Sequence, residues 1–328
     1  MTTTAPVLVL LDHTPDGALR GPVREVVTLA RELAGDAGVH GAWAADAELG
    51  ADVLADLGAL GVTRVHRLVA DADTHLSAVL AESLDAVLTA TGAGLLLAVS
   101  SFENKEVAAR LALSAGAGVV TDADGLAVVD GRYVASKTVF AGTWNTRCAV
   151  TAPLAVVTVK ANAVPASPAA APVATEVVDH AVTVSDAARR VALVERVERP
   201  ASGRPDLGSA NVVVAGGRGT EGDFSPVEDL ADALGAAVGA TRVATDEGWI
   251  GHDAQIGQTG VTISPRLYVG AGVSGAVHHR GGMQASGTIV AVNSDPDAPI
   301  FEIADFGVVG DLFTVLPQAA AELRRLKG

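Results

Sequence analysis

The loop at residues 270–275, Gly-Ala-Gly-Val-Ser-Gly, is the feature of this sequence that most directly indicates chemistry. It matches the pattern G-x-G-x-x-G and lies between the apolar run 267–269 and a segment with helical spacing. Glycines in that position let backbone N–H groups approach a pyrophosphate at the positive end of a helix. Asn293 and Asp295 follow the next predicted strand, about 20 residues on, where a dinucleotide fold places its ribose-reading group. The pattern predicts a dinucleotide site, with a simple tight turn as the alternative.

Two further glycine-rich stretches, 216–220 and 255–260, also lie near predicted strand ends. Three such loops favour one ligand spread along the edge of a sheet. Arg218 and Arg242 lie beside these glycines in an otherwise acidic chain, which suits neutralisation of a phosphate or a charge beside a cofactor ring. For each arginine, a solvated surface position is an equally good interpretation.

Other catalytic chemistries find little support in the residue pattern. His278 and His279 are adjacent, so they point to different faces of a helix, and no H-E-x-x-H carboxylate follows them, so no metal site is predicted. The sequence around Ser274 lacks the G-x-S-x-G spacing of a hydrolase nucleophile. Cys148 is the only cysteine, which excludes an internal disulfide framework and a cysteine-based metal cluster.

Charge and composition exclude several classes of partner. The 328 residues include 23 Lys and Arg against 38 Asp and Glu, and a net charge of −15 repels the phosphate backbone of a nucleic acid. A hydrophobic content of 49% excludes intrinsic disorder. Apolar runs such as 7–11 are far shorter than the ~18 residues that cross a bilayer, so no membrane insertion is predicted. These features, with the cysteine count, predict a cytoplasmic protein.

Strand-like and helix-like segments alternate through the first half of the chain, with strands predicted to begin at Val7, Val39, Val65 and Leu95. This order predicts an α/β domain with a parallel sheet. The stretches 133–140 and 149–160 have a period of two and no helix between them, so they are expected to add antiparallel hairpin strands and make the sheet mixed.

A Pro- and Ala-rich connector at about 163–175 and a second polar, Pro-containing stretch at 198–209 precede a new strand–helix alternation. The segment 177–197 either completes the first sheet or acts as a connector. The second half is expected to hold these elements: strands 211–215, 267–270, 288–293 and 300–304, and helices 227–238, 275–280 and 312–326. Two domains are therefore predicted: a mixed α/β domain at 1–198 and a doubly wound, parallel-sheet dinucleotide-binding domain at 199–328.

Six ordered blocks of the second half together resemble the α subunit of electron transfer flavoprotein. These blocks are 216–219, 238–242, 255–260, 274–279, 289–293 and 304–313. The resemblance implies one non-covalent FAD bound by residues 199–328. It also implies a heterodimer in which the N-terminal domain contacts a β subunit, and the β subunit holds an AMP.

The resemblance also implies which residues bind the FAD. They are Arg218, Thr241, Arg242, Ile256, Gly257, Gln258, Thr259, Ser274, Gly275, Ala276, Val277, His278, His279, Asn293, Asp311 and Leu312. Arg242, Thr259 and His279 would tune the flavin, with Thr259 near N5. One-electron reduction of a flavin places negative charge near N1 and the C2 carbonyl, so a hydrogen-bond donor or cation held there favours reduction. His279 is expected to be that donor or cation.

The function implied is that of an electron carrier rather than an enzyme. Acyl-CoA dehydrogenases and related flavoprotein dehydrogenases would donate electrons, as in fatty acid β-oxidation in a bacterial cytoplasm, and a quinone oxidoreductase would accept them. Two alternatives are a flavin-free interaction subunit and an NAD-dependent enzyme on a deoxyhypusine synthase-like fold. A lysine mechanism for the latter is disfavoured because Lys327 is the only lysine after residue 198.

Overall fold

The computed structural model describes residues 5–45, 47–140, 142–197 and 203–327. It divides into two compact units: the first unit comprises Met1–Lys137 and Thr146–Glu198, and the second comprises Thr138–Asn145 and Arg199–Gly328. The boundary predicted between residues 198 and 199 lies outside the described residues.

The first unit alternates strands and helices before it adds several strands in succession. Its elements, apart from residues 138–145 at the ends of β7 and β8, are β1 (Val7–Leu10), α1 (Gly21–Ala34), β2 (Val39–Ala44), α2 (Ala51–Ala59), β3 (Val62–Ala70), α3 (Ser77–Thr91), β4 (Leu95–Val99), α4 (Phe102–Ala115), β5 (Gly118–Ala123), β6 (Gly125–Val129), β7 (Arg132–Val139), β8 (Trp144–Ala149), β9 (Ala155–Val159) and β10 (Glu176–Val182).

The main sheet of the first unit has seven strands in the order β10-β3-β2-β1-β4-β9-β5, and each neighbouring pair is parallel. Helix α1 covers one face, on which Val9 and Leu97 lie, while α3 and α4 cover the other, on which Leu8 and Leu96 lie. Both faces are buried at the centre of the sheet, so the central strands β1, β4 and β9 are nearly continuous apolar runs, whereas β3 and the edge strand β10 carry charged residues.

The predicted antiparallel hairpin at 149–160 is wrong. Strand β9 is buried along its whole length and lies parallel between β4 and β5. Its Ala-Val-Val-Thr-Val sequence is that of a central parallel strand, which has no polar face to reveal its period. Strands β6 and β7 pair antiparallel in a separate three-stranded sheet, β6-β7-β8, and all but the last residue of the predicted strand 133–140 lies in its middle strand.

The Pro- and Ala-rich connector packs against the first unit. Ser167 N donates to Thr28 Oγ1 at 3.1 Å, and Val173 N donates to the Gly58 carbonyl at 3.0 Å, which ties the segment to α1 and α2. The chain then forms β10, which pairs with β3 at the edge of the sheet. Of the two interpretations of 177–197, completion of the first sheet is confirmed for its start.

The second unit is a five-stranded sheet with helices on both faces. Its elements are β11 (Val212–Gly216), α5 (Ser225–Leu234), β12 (Ala237–Ala240), α6 (Arg242–Asp246), β13 (Leu267–Ala271), α7 (Val277–Met283), β14 (Ile289–Asn293), β15 (Phe306–Val309) and α8 (Leu312–Lys327). The strand order is β12-β11-β13-β14-β15 and each neighbouring pair is parallel, which confirms the predicted doubly wound fold.

Two predicted elements of the second unit are wrong in their bounds. The helix expected at 227–238 ends at Leu234, because Gly235 takes a left-handed conformation with φ of 68°, and the chain continues as β12. The strand expected at 300–304 is instead a short 3₁₀ turn at Pro299–Glu302, and the strand follows it as β15. A proline whose φ is fixed near the helical value favours the turn at that position.

Candidate functional site

The strand order of the second unit reverses between β11 and β13, since the chain runs from β11 outward to β12 and returns to β13 on the other side. The carboxyl ends of adjacent strands on either side of such a point leave a crevice in which α/β proteins bind ligands. The glycine-rich loops predicted at 216–220 and 270–275 both lie there. Gly217 N donates to the Ala271 carbonyl and Gly219 N to the Gly272 carbonyl, each at 3.0 Å. The structure therefore brings the two loops together.

Close contact between the two loops explains why glycine is needed. A Cβ atom at Gly217 would lie 2.3 Å from the Gly272 carbonyl oxygen, and one at Gly219 would lie 2.7 Å from the Gly272 Cα. Gly272 itself has a φ of 62°. The glycines thus allow backbone to pack on backbone, and this need exists whether or not a ligand is present.

Thr241 follows β12 and carries a buried hydroxyl that has no hydrogen-bond partner among the described residues. Its position immediately before α6 would allow it to cap that helix, but the side chain makes no capping bond. Leaving a buried hydroxyl unpaired costs about 1–3 kcal/mol. A polar ligand atom at this point would remove that cost, so the site fits an FAD that offers phosphate or hydroxyl oxygens.

The two predicted arginines differ in their surroundings. Arg218 follows β11 on an exposed 3₁₀ turn and makes no ion pair with any described residue. Arg242 is also exposed but its Nε lies 3.1 Å from Asp246 Oδ2, one turn along α6. Exposed pairs of this kind contribute little to stability and are easily exchanged. Arg218 is the cation more available to a phosphate at the strand ends.

The loop at 255–260 lies between the end of β12 and α7. Ile256 is buried and its N–H donates to the Ala240 carbonyl at 2.9 Å, while Gln258 N donates to the His278 carbonyl at 3.0 Å. Gly257, also buried, bonds to Val261 across the loop. The side chains of Gln258 and Thr259 remain exposed. The structure thus places this loop beside the 274–279 block, as a shared ligand requires.

A buried polar network anchors the same loop, and residue patterns did not reveal it. Gln255 is 7% exposed and Thr245 is 2% exposed. Thr245 Oγ1 donates to Gln255 Oε1 at 2.8 Å, and Gln255 Nε2 donates to Thr259 Oγ1 at 3.0 Å. The only signal in the sequence was the position of Gln255 at the start of the Gln-Ile-Gly-Gln-Thr-Gly stretch.

The ring of His279 is buried, with 5% of the residue exposed, and both of its nitrogens have partners. Nδ1 lies 3.2 Å from the Ile256 carbonyl and Nε2 lies 2.7 Å from the buried Tyr268 hydroxyl. A carbonyl can only accept, so Nδ1 carries the proton and Nε2 accepts from Tyr268. Burial lowers the pKa of His279 to about 4, although the Ile256 carbonyl opposes this.

That pKa lies well below 7, so the ring is neutral at neutral pH, which disfavours the cationic form of the expected role; a role of His279 at the flavin stays a prediction. Its hydrogen bonds hold the 256–257 backbone and the Tyr268 ring in place, which is a positioning role. His278, its neighbour, is exposed, as the divergence of adjacent helical side chains predicts.

The other predicted contacts with the adenosine and pyrophosphate also have structural roles. Asn293 Nδ2 donates to the Val273 carbonyl at 2.9 Å, which supports the glycine-rich loop from the next strand. Asp311 Oδ1 accepts from Phe313 N at 3.0 Å and so caps α8. Leu312 is buried in the core beneath the loops.

The 274–277 segment connects β13 to α7. Ser274, Ala276 and Val277 are exposed at the strand ends. Gly275 is buried against the backbone of Ile300, whose N–H donates to the Ser274 carbonyl at 3.0 Å. The exposed members of this segment are thus available to a ligand, while Gly275 is packed against the backbone of Ile300.

Within the described part of the chain, no three His, Cys, Asp or Glu side chains are grouped as metal ligands would be. A search of the same residues finds no helix with the length and apolar character needed to span a membrane.

Comparison with known proteins gives consistent matches along the chain. Residues 7–203 match the family model of the electron transfer flavoprotein domain, and residues 206–284 match that of the electron transfer flavoprotein FAD-binding domain. The electron transfer flavoprotein subunit alpha of Mycobacterium leprae is 41% identical over 329 residues, covering 99% of this chain and 100% of the relative. That of Mycobacterium tuberculosis H37Rv is 42% identical over 333 residues with the same coverage. That of Bacillus subtilis is 38% identical over 224 residues, 68% of each chain.

Proposed function

This chain belongs to the electron transfer flavoprotein family as an α subunit, and on that premise we propose that its second unit binds one FAD non-covalently and carries single electrons between proteins. The observation that carries the proposal is the switch point between β11 and β13. There two glycine-rich loops lie at the carboxyl ends of parallel strands, together with the exposed Arg218 and the buried Thr241 hydroxyl, which has no partner in the described part of the chain.

In this proposal the phosphates are held by Arg218, Thr241 and the 274–277 segment, because these groups offer a cation, an unpaired hydroxyl and exposed backbone. The flavin ring is held by Arg242, the 256–259 loop and the neighbourhood of His278 and His279. The adenosine end lies toward Asn293, Asp311 and Leu312. When bound, FAD supplies reversible one-electron chemistry. The side chains of this chain bind and orient it, and the neutral His279 keeps the loop in shape.

The partners proposed are those that an α subunit of this family implies. The first unit would contact a β subunit, which would hold an AMP. Acyl-CoA dehydrogenases and other flavoprotein dehydrogenases would donate electrons and a quinone oxidoreductase would accept them, in a bacterial cytoplasm and in support of fatty acid β-oxidation. The name of the relatives, subunit alpha, supports the existence of a second subunit.

The protein is proposed to be a carrier with no metabolite substrate of its own. Membership of the family removes the support for the NAD-dependent alternative.

The test is the chromophore of the assembled complex. Co-expressed with its β subunit and purified, the full chain should be yellow and contain one FAD, and reduction by a flavoprotein dehydrogenase should bleach it. A complex that stays colourless after incubation with excess FAD would contradict the proposal.

A further inference from the structure

Gln255 forms the centre of a three-residue relay in which Gln255 and Thr245 are buried and Thr259 is exposed. Thr245 has a single hydroxyl proton and lies within reach of two acceptors, the Gln255 Oε1 atom at 2.8 Å and the Arg242 carbonyl at 2.9 Å. At the other end of its amide, Gln255 Nε2 donates to Thr259 Oγ1 at 3.0 Å. The relay runs from α6 to the exposed tip of the 255–260 loop.

The direction of these bonds determines what Thr259 offers to its surroundings. An amide nitrogen can only donate, so the Thr259 oxygen accepts on the side that faces Gln255. The Thr259 hydroxyl proton must therefore point elsewhere, and the side chain is exposed on its outer side. A donor that is itself accepting a hydrogen bond is also strengthened by it. Thr259 is thus set as a hydrogen-bond donor toward the site.

We propose that Gln255 is a positioning residue: its amide, oriented by Thr245, directs the proton of Thr259 outward, so that the site favours a cofactor atom that accepts. This inference rests on the proposed function, in which the 256–259 loop holds the flavin of FAD. Nitrogen N5 of oxidised flavin accepts a hydrogen bond, and the same atom carries a hydrogen once the ring is fully reduced. The relay therefore stabilises the oxidised state. It transfers no proton, since each hydrogen stays on its own heavy atom.

The test is a double-mutant cycle with Gln255→Met and Thr259→Val, measured on the full chain purified with its β subunit. The readouts are the midpoint potential of bound FAD and the dissociation constant of oxidised FAD. Gln255→Met is expected to weaken binding of oxidised FAD relative to fully reduced FAD about tenfold, which raises the two-electron midpoint potential by about 30 mV. In the Thr259→Val background the same substitution should add no further shift, because Gln255 acts through that hydroxyl.

A matched pair of substitutions at Thr245 provides the control. Thr245→Ser keeps the hydroxyl and should keep the potential, whereas Thr245→Val removes it and should shift the potential upward as Gln255→Met does. This pair also tests the relay should Gln255→Met fail to fold.

The sign of the shift decides the outcome. A lower potential in Gln255→Met would mean that the amide is turned the other way and that Thr259 donates to it, which overturns the inference. So would an equal shift in both Thr259 backgrounds, or no shift at all. An unaltered complex that binds no FAD would instead contradict the proposed function, so the two failures are distinguishable.

Discussion

Both units contain a parallel sheet whose strand order reverses at one point, but the two sheets differ at that point. In the first unit the reversal lies between β1 and β4, and the crevice is closed by a hydrogen-bonded pair: Asn104 Nδ2 donates to Asp12 Oδ2 at 2.7 Å and to the Val99 carbonyl at 3.0 Å. In the second unit the corresponding loops are glycine-rich, and Thr241 has a hydroxyl without a partner among the described residues. The same kind of sheet therefore closes one crevice and leaves the other suited to a ligand, so function depends on the loops rather than on the fold.

Charge reverses at matched positions of the two crevices. Asp12 lies two residues beyond the end of β1, and Arg218 lies two residues beyond the end of β11. Burial raises the pKa of Asp12 to about 6, although the hydrogen bond from Asn104 opposes this. Because that pKa is still below 7, the carboxyl is mostly ionised at neutral pH. A carboxylate repels a phosphate where an arginine attracts it. The difference favours a dinucleotide phosphate at the second crevice over the first.

Transferring the charge of the first crevice to the second gives the largest expected effect. Arg218→Glu should weaken FAD binding about a thousandfold, because a charge-assisted bond is lost and a repulsion is added. Arg218→Lys keeps the charge and should lose far less. Fluorescence titration of FAD into flavin-depleted complex measures both variants. Equal affinities for Glu and Lys at this position would show that the charge contrast is irrelevant.

Backbone contact between loops gives the next largest effect. Gly217→Ala should reduce the free energy of unfolding of the second unit by about 3 kcal/mol, since the added Cβ meets backbone that cannot move aside. Gly21→Ala is a matched control in the first unit, because a Cβ there meets no atom within 4 Å and it lies in α1. It should be neutral or stabilising. Denaturant midpoints check the pair, and similar losses at both positions would rule out a special role for loop contact.

Buried histidines should make both units less stable in acid. His66 lies between His40 and His180 in the first unit, and burial, helped by the neighbouring imidazoles, lowers its pKa to about 4, the same value as His279 in the second. An unfolded histidine takes up a proton near pH 6.5. Between these two pH values the unfolded chain therefore binds more protons than the folded chain. The free energy of unfolding consequently falls as pH drops from about 6.5 to about 4.

Each of these two histidines should contribute about 3 kcal/mol to that loss. Asp12 acts in the opposite direction, because its raised pKa reduces stability as pH rises from 3.8 to about 6. Unfolding curves across this pH range measure the net effect. His66→Gln and His279→Gln should each flatten the profile, while the exposed His278→Gln should leave it unchanged. A profile that His279→Gln does not alter would argue against a neutral, buried ring.

The contrast between the crevices was only partly predictable from sequence. The second fold and its glycine-rich loops followed from residue spacing, because the requirement for glycine at a tight backbone contact is local. The relay through Gln255 and Thr245 did not, since it joins residues of a helix and a loop whose proximity depends on packing. The closed crevice of the first unit was missed for the same reason: Asp12 and Asn104 are 92 residues apart.

His279 and β9 show a second reason why part of the structure could not be predicted from the sequence. The resemblance placed His279 at the flavin, yet its neutral state follows from burial beside Tyr268, which no sequence pattern reports. Strand β9 is apolar on both faces, so its direction in the sheet depends on neighbours and could not be deduced from its own period.

The unpaired hydroxyl of Thr241 gives the smallest effect and the clearest contrast in sign. Thr241→Val should stabilise the flavin-free chain by about 1 kcal/mol, because it removes a buried polar group for which the described residues offer no partner. The same change should weaken FAD binding five- to tenfold, whereas Thr241→Ser should preserve it. In the first unit Asn104→Leu should do the reverse and destabilise the chain, since it leaves the Asp12 carboxyl without its bond. Thermal melts of flavin-free protein and FAD titrations test both statements. If Thr241→Val destabilised the flavin-free chain, its hydroxyl would be satisfied within the protein and the second crevice would be as complete without a ligand as the first.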